Sequence, residues 1–462
     1  MTTEKGEFWV PGGRRVPGEL EILDNGSYCL RTQGYCVPPK QIEEITGGIA
    51  LRDTPEHIVA DFEPQTVYGE TSSGPLTLWA AHMTIDFEAS LRPGQKFTGE
   101  NRVIGAHIAS MLSPISGIRW VWNARIGRAG EIPDEVASLE GSLRSWELNG
   151  LLGLEFLPRN PVAVRTLMEI QESCSQLIGL WTGRWEVPQA TVTQLLLGDT
   201  WCDFETPEHL ENMRVRSNLL ALSDLSVQKM GAWMAQVNEL YPIAHMINAS
   251  IPTIEVDAQV RTTALEGLHR RLYDADRGQR PFQGLSQAAV DRARRAAREA
   301  GVEVLAKEGT DRAMARTRFQ FALANVNELT YEERVRRLVE DIQEIASGMW
   351  GPDLQVWLSQ TKKVRNVQSH LLPESRQAVD ISKYFMITVT TRWTLTLRVL
   401  LDVVGSAKLK HALSNSQTFE FALANVDAEH PWSDEEYSAL RTFRNATSQQ
   451  KGDTGHPPDV AG

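Results

Sequence analysis

The sequence predicts an α+β multidomain protein, with an N-terminal antiparallel β-sandwich-like domain followed by an all-α helical bundle. Three observations predict it. The first half alternates apolar and polar residues between Gly, Pro and Asn-Gly breaks. The second half changes to apolar residues at helical spacing. Charge divides in the same way: residues 1–256 carry 19 Lys and Arg against 32 Asp and Glu, whereas residues 257–415 carry 25 against 19. A chain of 462 residues, 42% hydrophobic with 13 Trp, has enough apolar area for two cores.

The strands come first. GEFWVPGG, PGELEILDNGSYCLRTQG and GPLTLWAAHMTIDFE alternate in period two. Asp24-Asn25-Gly26 between two such runs predicts a hairpin with a type I′ turn, because Asn-Gly accepts positive φ. IRWVWNARI (118–126), SLRSWELNG (142–150) and GLWTGRWEVP (179–188) continue the pattern. One helix interrupts it, over 160–181. Short strands with this density of turns point to a sandwich or a barrel.

From about residue 217 the spacing predicts helices over 217–247, 256–276, 286–308, 331–349, 353–372 and 377–404. Ser286 is a candidate N-cap, and Thr330 with Glu333 a candidate capping box. Gly348-Met-Trp-Gly-Pro352 separates two helices. The polar end of the chain is expected to be disordered. The expected domains are therefore 1–215, 216–430 and a tail at 431–462.

Several function classes are disfavoured. Cys29, Cys36, Cys174 and Cys202 have neither zinc spacing nor the density of a disulfide framework, which fits reduced thiols and a cytoplasmic setting. MTTEKGEFWVPGG has no basic start followed by an apolar run, so no signal peptide is expected. The most apolar stretch, 384–405, is interrupted by Arg392, Arg398 and Asp402, and reads as a buried helix rather than a membrane span. There is no Walker loop, GxSxG or metal-ligand spacing, so neither a metal nor a cofactor is expected.

The chemistry concentrates in TKKVRNVQSHLLPE, 361–374. Cleaving RNA without a metal needs a base for the ribose 2′-OH proton and a cation for the charge that builds on the phosphate. His370 titrates near neutrality and Arg365 grips phosphate with a fixed fork of donors. Asn366 can orient the histidine or bond the phosphate. On an ideal helix, positions 365 and 370 lie about 140° apart. A working site therefore needs a local helix break or a second copy of the motif from another subunit. Lys362 and Lys363, just upstream, read equally as RNA-backbone contacts or as solvated surface lysines. The Arg-rich stretch 277–318 likewise reads as an RNA-binding arm or as a solvated amphipathic helix. Its interleaved acids favour the second.

Arg365, Asn366 and His370 resemble the R-x4-6-H motif of the HEPN superfamily. ALEGLHRRLYD (264–274), LTYEERVRRLVE (329–340) and the apolar helix after Pro373 resemble the helices around that motif in ApeA-like HEPN domains. GEFWVPGG, VPGELEILDNGSYCL and VYGETSSGPLTLWAA resemble the ApeA N-terminal domain. The resemblance implies an all-α HEPN bundle acting as a metal-independent endoribonuclease and homodimer in bacterial anti-phage defence, with no membrane. Arg365 would stabilise the phosphate, His370 would transfer protons and Asn366 would support them. The acidic N-terminal domain is expected to sense a phage-derived trigger or to restrain the nuclease. The rival reading is a catalytically inactive HEPN dimerisation or RNA-binding module beside a β-sandwich recognition domain.

Overall fold

The computed structural model describes residues 1–37, 64–86, 94–122, 136–138, 141–205, 218–221, 224–273, 281–282, 284–351, 353–370 and 381–428. The chain divides into two compact units, Met1–Asn238 and Glu239–Gly462. The junction expected at 215/216 and the tail expected from 431 lie outside the described residues.

The first unit is antiparallel and β-rich. Its strands are β1 (Thr2–Trp9), β2 (Val16–Ile22), β3 (Tyr28–Thr32), β4 (Gln65–Thr71), β5 (Gly74–Asp86), β6 (Gly94–Gly99), β7 (Asn101–Ile104), β8 (Pro114–Ile115), β9 (Gly117–Trp122), β10 (Val136–Ser138), β11 (Gly141–Leu148), β12 (Leu151–Pro158), β13 (Val162–Ala163), β14 (Ala190–Leu197) and β15 (Thr200–Glu205). β13 and β8 form a small pair of their own, and the rest join one sheet. β6 and β7 run along one edge of β5 in the same register, from Asp86↔Gly94 to His82↔Thr98 and, past a bend at Glu100, from Trp79↔Asn101 to Leu76↔Ile104. The free edge of β6 pairs with β3, while that of β7 pairs with β15. The circuit β5–β4–β1–β2–β3–β6 therefore closes on itself as a barrel. Beyond β7 the sheet continues open through β15, β14, β9, β12, β11 and β10. The expected sandwich is thus a barrel that shares strands with an open sheet. Alternation explains the barrel core: Phe8, Leu20, Leu30, Val67, Leu78, Met83 and Phe97 all point inward and are buried.

The open part is backed by helix α1 (Val164–Thr182), which starts four residues later than the pattern suggested. The Trp122 indole donates to Ser175 Oγ at 2.8 Å. At Asp24-Asn25-Gly26 only Gly26 has positive φ, and Gly26 N donates to the Leu23 carbonyl. This is a type I turn with a left-handed glycine, so the expected type I′ geometry is absent there. Instead it occurs at Asn149-Gly150, with φ of 54° and 77°, where Leu148 pairs with Leu151 across a two-residue loop.

The helices that follow are α2 (Val227–Asn248), α3 (Ile254–Tyr273), α4 (Gln287–Lys307), α5 (Arg312–Ala322), α6 (Tyr331–Ile342), α7 (Leu354–His370), α8 (Ile381–Val404), α9 (Ser406–Ser414) and α10 (Gln417–Ala428). The boundary between the units falls inside α2. In the second unit α3 packs on α6, α7 and α8. Both expected caps form: Ser286 accepts from Ala289 N, and Thr330 and Glu333 close a capping box. α6 ends at Ile342, short of the expected 349. Ile345, Ala346, Met349 and Trp350 stay buried, but in successive turns that end at Gly348 and Gly351, both left-handed. α8 is apolar but threaded with hydroxyls. The Trp350 and Trp357 indoles donate to Thr394 and Thr390 Oγ1, at 2.9 and 2.8 Å, and both threonines bond back to carbonyls four residues earlier. Among the described residues no helix is long and apolar enough to cross a membrane. All four cysteines are buried and unbridged.

Candidate active site

The candidate residues ride on α7. Val364, Trp357, Leu358 and Thr361 face the core, which turns Lys362, Lys363 and Asn366 outward and leaves Arg365 half-buried at the margin. α7 is one continuous helix from Leu354 to His370. The local break that would let Arg365 and His370 converge within one chain is therefore absent, and the two positions leave the helix about 140° apart. His370 is the last residue of α7, and its side chain lies outside the described residues.

Arg365 is held by two neighbours from other helices. Its Nη2 lies 2.6 Å from Oε2 of Glu266 on α3. Its guanidinium carbon sits 5.1 Å from the ring centroid of Tyr331, the first residue of α6. The Tyr331 hydroxyl donates to the Thr262 carbonyl, one turn before Glu266, so the same tyrosine fixes α6 to α3 and floors the arginine. Burial raises the Tyr331 phenol well above its ordinary range, and it stays neutral. Glu266 also accepts from Arg270 at 2.9 Å, the i,i+4 partner on its own helix. The result is an Arg–Glu–Arg chain with one carboxylate between two guanidiniums, aligned along the outer edge of α3 and α7.

Of the two lysines, Lys362 binds Glu332 on α6 at 3.0 Å. That hydrogen bond, aided by one from Gln355, holds the Glu332 carboxyl below its usual range. Lys363 is exposed and turned away from this pair. The structure thus gathers Arg365 with Glu266 and Tyr331, and gives Lys362 an intrachain partner. It leaves Lys363 and Asn366 on the open face. Glu266 and Tyr331 were missed as site residues. Both lie in the stretches quoted above, but nothing local ties position 266 to position 365.

Beneath the site, the buried Arg334 donates toward Nδ1 of the buried His269 at 3.2 Å, and its Nε donates to the Leu329 carbonyl. Arg398 on α8 bonds Asp341 at 2.8 Å and Asp402 at 2.9 Å. These bonds lock α3, α6 and α8 behind α7. Among the described residues no three His, Cys, Asp or Glu side chains group in a way that could hold a metal ion.

Residues 262–408 match the family model Apea-like HEPN. The helical unit carries an ApeA-like HEPN domain. The matched span begins inside α3, contains Glu266, Tyr331 and the whole of α7, and ends inside α9. Comparison with curated proteins and with solved structures gave no match. The N-terminal unit lies outside the HEPN match. Its stretches GEFWVPGG and VYGETSSGPLTLWAA fall largely on β1, β4 and β5. At family level, an ApeA-like HEPN domain carries a nuclease or RNA-related role in defence.

Proposed function

We propose that the protein is a metal-independent endoribonuclease of bacterial anti-phage defence. It would act as a homodimer, with the HEPN domain cutting RNA and the N-terminal unit answering a phage-derived trigger. The observation that carries this reading is the match of the HEPN family to the segment bearing Arg365-x4-His370 on a continuous, surface-lying helix. In the proposed step His370 takes the ribose 2′-OH proton. O2′ then attacks phosphorus, and the bond to the 5′ oxygen breaks as that oxygen regains a proton. The products are a 2′,3′-cyclic phosphate and a 5′-hydroxyl. Arg365 offsets the charge that builds on the phosphate oxygens, and Asn366 supports the pair. Since positions 365 and 370 lie about 140° apart around one continuous helix, the reading needs two copies of α7 at one cleft.

One observation favours the rival. Arg365 is already ion-paired with Glu266, as a purely structural arginine would be. That reading makes the domain an inactive dimerisation or RNA-binding module. Expression of wild type beside His370→Ala and Arg365→Ala, with sequencing of total RNA ends, separates the two. New ends with cyclic phosphates in wild type alone support the nuclease. Identical RNA in all three strains, with phage protection intact, leaves the inactive module.

A further inference from the structure

The Arg-rich stretch that the sequence leaves open is resolved by its charges. α4 and α5 form an antiparallel hairpin whose main packing is on each other. Its core is small: Val290, Val302 and Ala315 are buried, and the Phe319 ring lies against Gly301. Most other side chains of the hairpin are exposed.

Four of the five interleaved acids, all but the exposed Glu308, are engaged inside the hairpin. Asp291 pairs with Arg294 at 3.6 Å. Glu299 binds Arg298 at 3.2 Å and Arg316 at 2.9 Å. Glu303 takes a two-pronged bond from Arg312, 3.0 Å on each oxygen. Asp311 caps α5 by accepting from Met314 N at 2.8 Å.

One flank of the hairpin keeps a basic surplus. Arg292 and Arg295 are exposed and form no ion pair with the described residues. Arg295 makes only a 3.4 Å bond to a carbonyl of its own helix. Helix geometry puts Arg292, Arg295, Glu299 and Glu303 on one side of α4, since seven residues return within about 20° and four within about 40°. Arg316 and Arg312 reach Glu299 and Glu303 from α5, so they line the same flank. Four arginines and two carboxylates thus run along it, and Arg292 to Glu303 spans about 16 Å. Arg318 follows Arg316 by two residues, about 200° around α5, and leaves from the other side.

We propose that this flank is a track for the phosphate backbone of single-stranded RNA, the substrate class of the proposed nuclease. It rests on the nuclease reading for its purpose, but not for its measurement. Arginine forks suit phosphate oxygens in pairs, and a charge surplus on a solvent-exposed hairpin costs little to keep there. Such a track is indifferent to base identity, because phosphate contacts position RNA without reading its sequence.

The test uses the full chain with His370→Ala, so that bound RNA stays intact, and a fluorescein-labelled single-stranded RNA followed by anisotropy across salt concentrations. Arg292→Gln/Arg295→Gln should weaken binding about five- to tenfold near physiological salt. It should also flatten the slope of log K against log salt by about 1.4, two contacts' worth for a single strand. Arg318→Gln, on the same hairpin but the other side, should leave both unchanged. Unchanged affinity and slope in the double variant overturn the track. So does an equal loss in Arg318→Gln, which would mean general attraction by net charge. A change in sedimentation mass with RNA binding untouched would make the hairpin a protein–protein surface and also overturns it. If neither His370→Ala nor Arg365→Ala alters RNA ends in cells while the double variant still loses RNA, the nuclease falls and the track stands.

Discussion

Glu266 is the most informative residue to remove. It sits 2.6 Å from Arg365, and the two side chains are 17% and 32% exposed. Two unit charges about 4 Å apart attract by roughly 4 kcal/mol at the effective dielectric of a protein surface. Desolvation, side-chain ordering and the second guanidinium of Arg270 cancel much of this, which leaves about 1–2 kcal/mol for holding Arg365 in one orientation. If that orientation aims the guanidinium at phosphate, losing it slows cleavage by a factor of about 5 to 30. Glu266→Ala should therefore lower kcat by about that factor on a defined RNA. KM should change little, because the arginine remains present and charged. Thermal stability should fall by only a few degrees, since the pair is partly solvated. Glu266→Gln, which keeps an acceptor at the same place, should recover part of the rate. Wild-type kcat in Glu266→Ala, beside a dead Arg365→Ala, would refute the positioning role. A large fall in stability would make the pair a structural tie instead.

Other expectations can be checked on the folded chain. Thr390→Val removes the acceptor of the buried Trp357 indole and should cost about 1–3 kcal/mol in urea unfolding. Gly150→Ala puts a side chain where φ is 77° and should cost about 1 kcal/mol, read the same way. Burial pushes the Cys36 and Cys174 thiols up to about 12, so at pH 8 iodoacetamide should leave both unlabelled in native protein and label both in urea, by mass spectrometry. Glu332 is held below its usual range by Lys362, so it favours the folded state above its unfolded pKa, near 4.5. That contribution is lost as pH falls through the folded value. Lys362→Gln should therefore lower the neutral plateau of the stability–pH curve slightly and leave its acid end unchanged, so that the acid limb becomes shallower.

Much of the helical unit was legible because its signals are local. The Thr330–Glu333 box and the Ser286 cap each need only a few residues of context, and both formed. α6 was read too long because buried Ile345 and Met349 continue the apolar spacing after the backbone has left the helix for turns. Closure of the barrel was illegible, since it depends on β6 meeting β3 some seventy residues away and β5 together. The Arg365 motif could be found in six residues, but its clamp could not, because Glu266 and Tyr331 arrive from two other helices. The turn at Gly26 shows the same limit: Asn-Gly marks where the chain reverses without stating which turn closes it.

The strand that runs as β6 and then β7 carries an implication for synthesis on the ribosome. Every strand of the barrel lies within the first 99 residues, so the barrel can close while most of the chain is still unmade. The residues emerging next, Asn101–Ile104, extend that same strand and present a fresh hydrogen-bonding edge. β15, the last described strand of the unit, is the one that pairs with it. Until residue 205 has been translated, that edge stands open to any passing strand. The nascent domain therefore has a window in which its finished half is a template, and a slow stretch of translation between residues 105 and 200 would lengthen its exposure to mispairing.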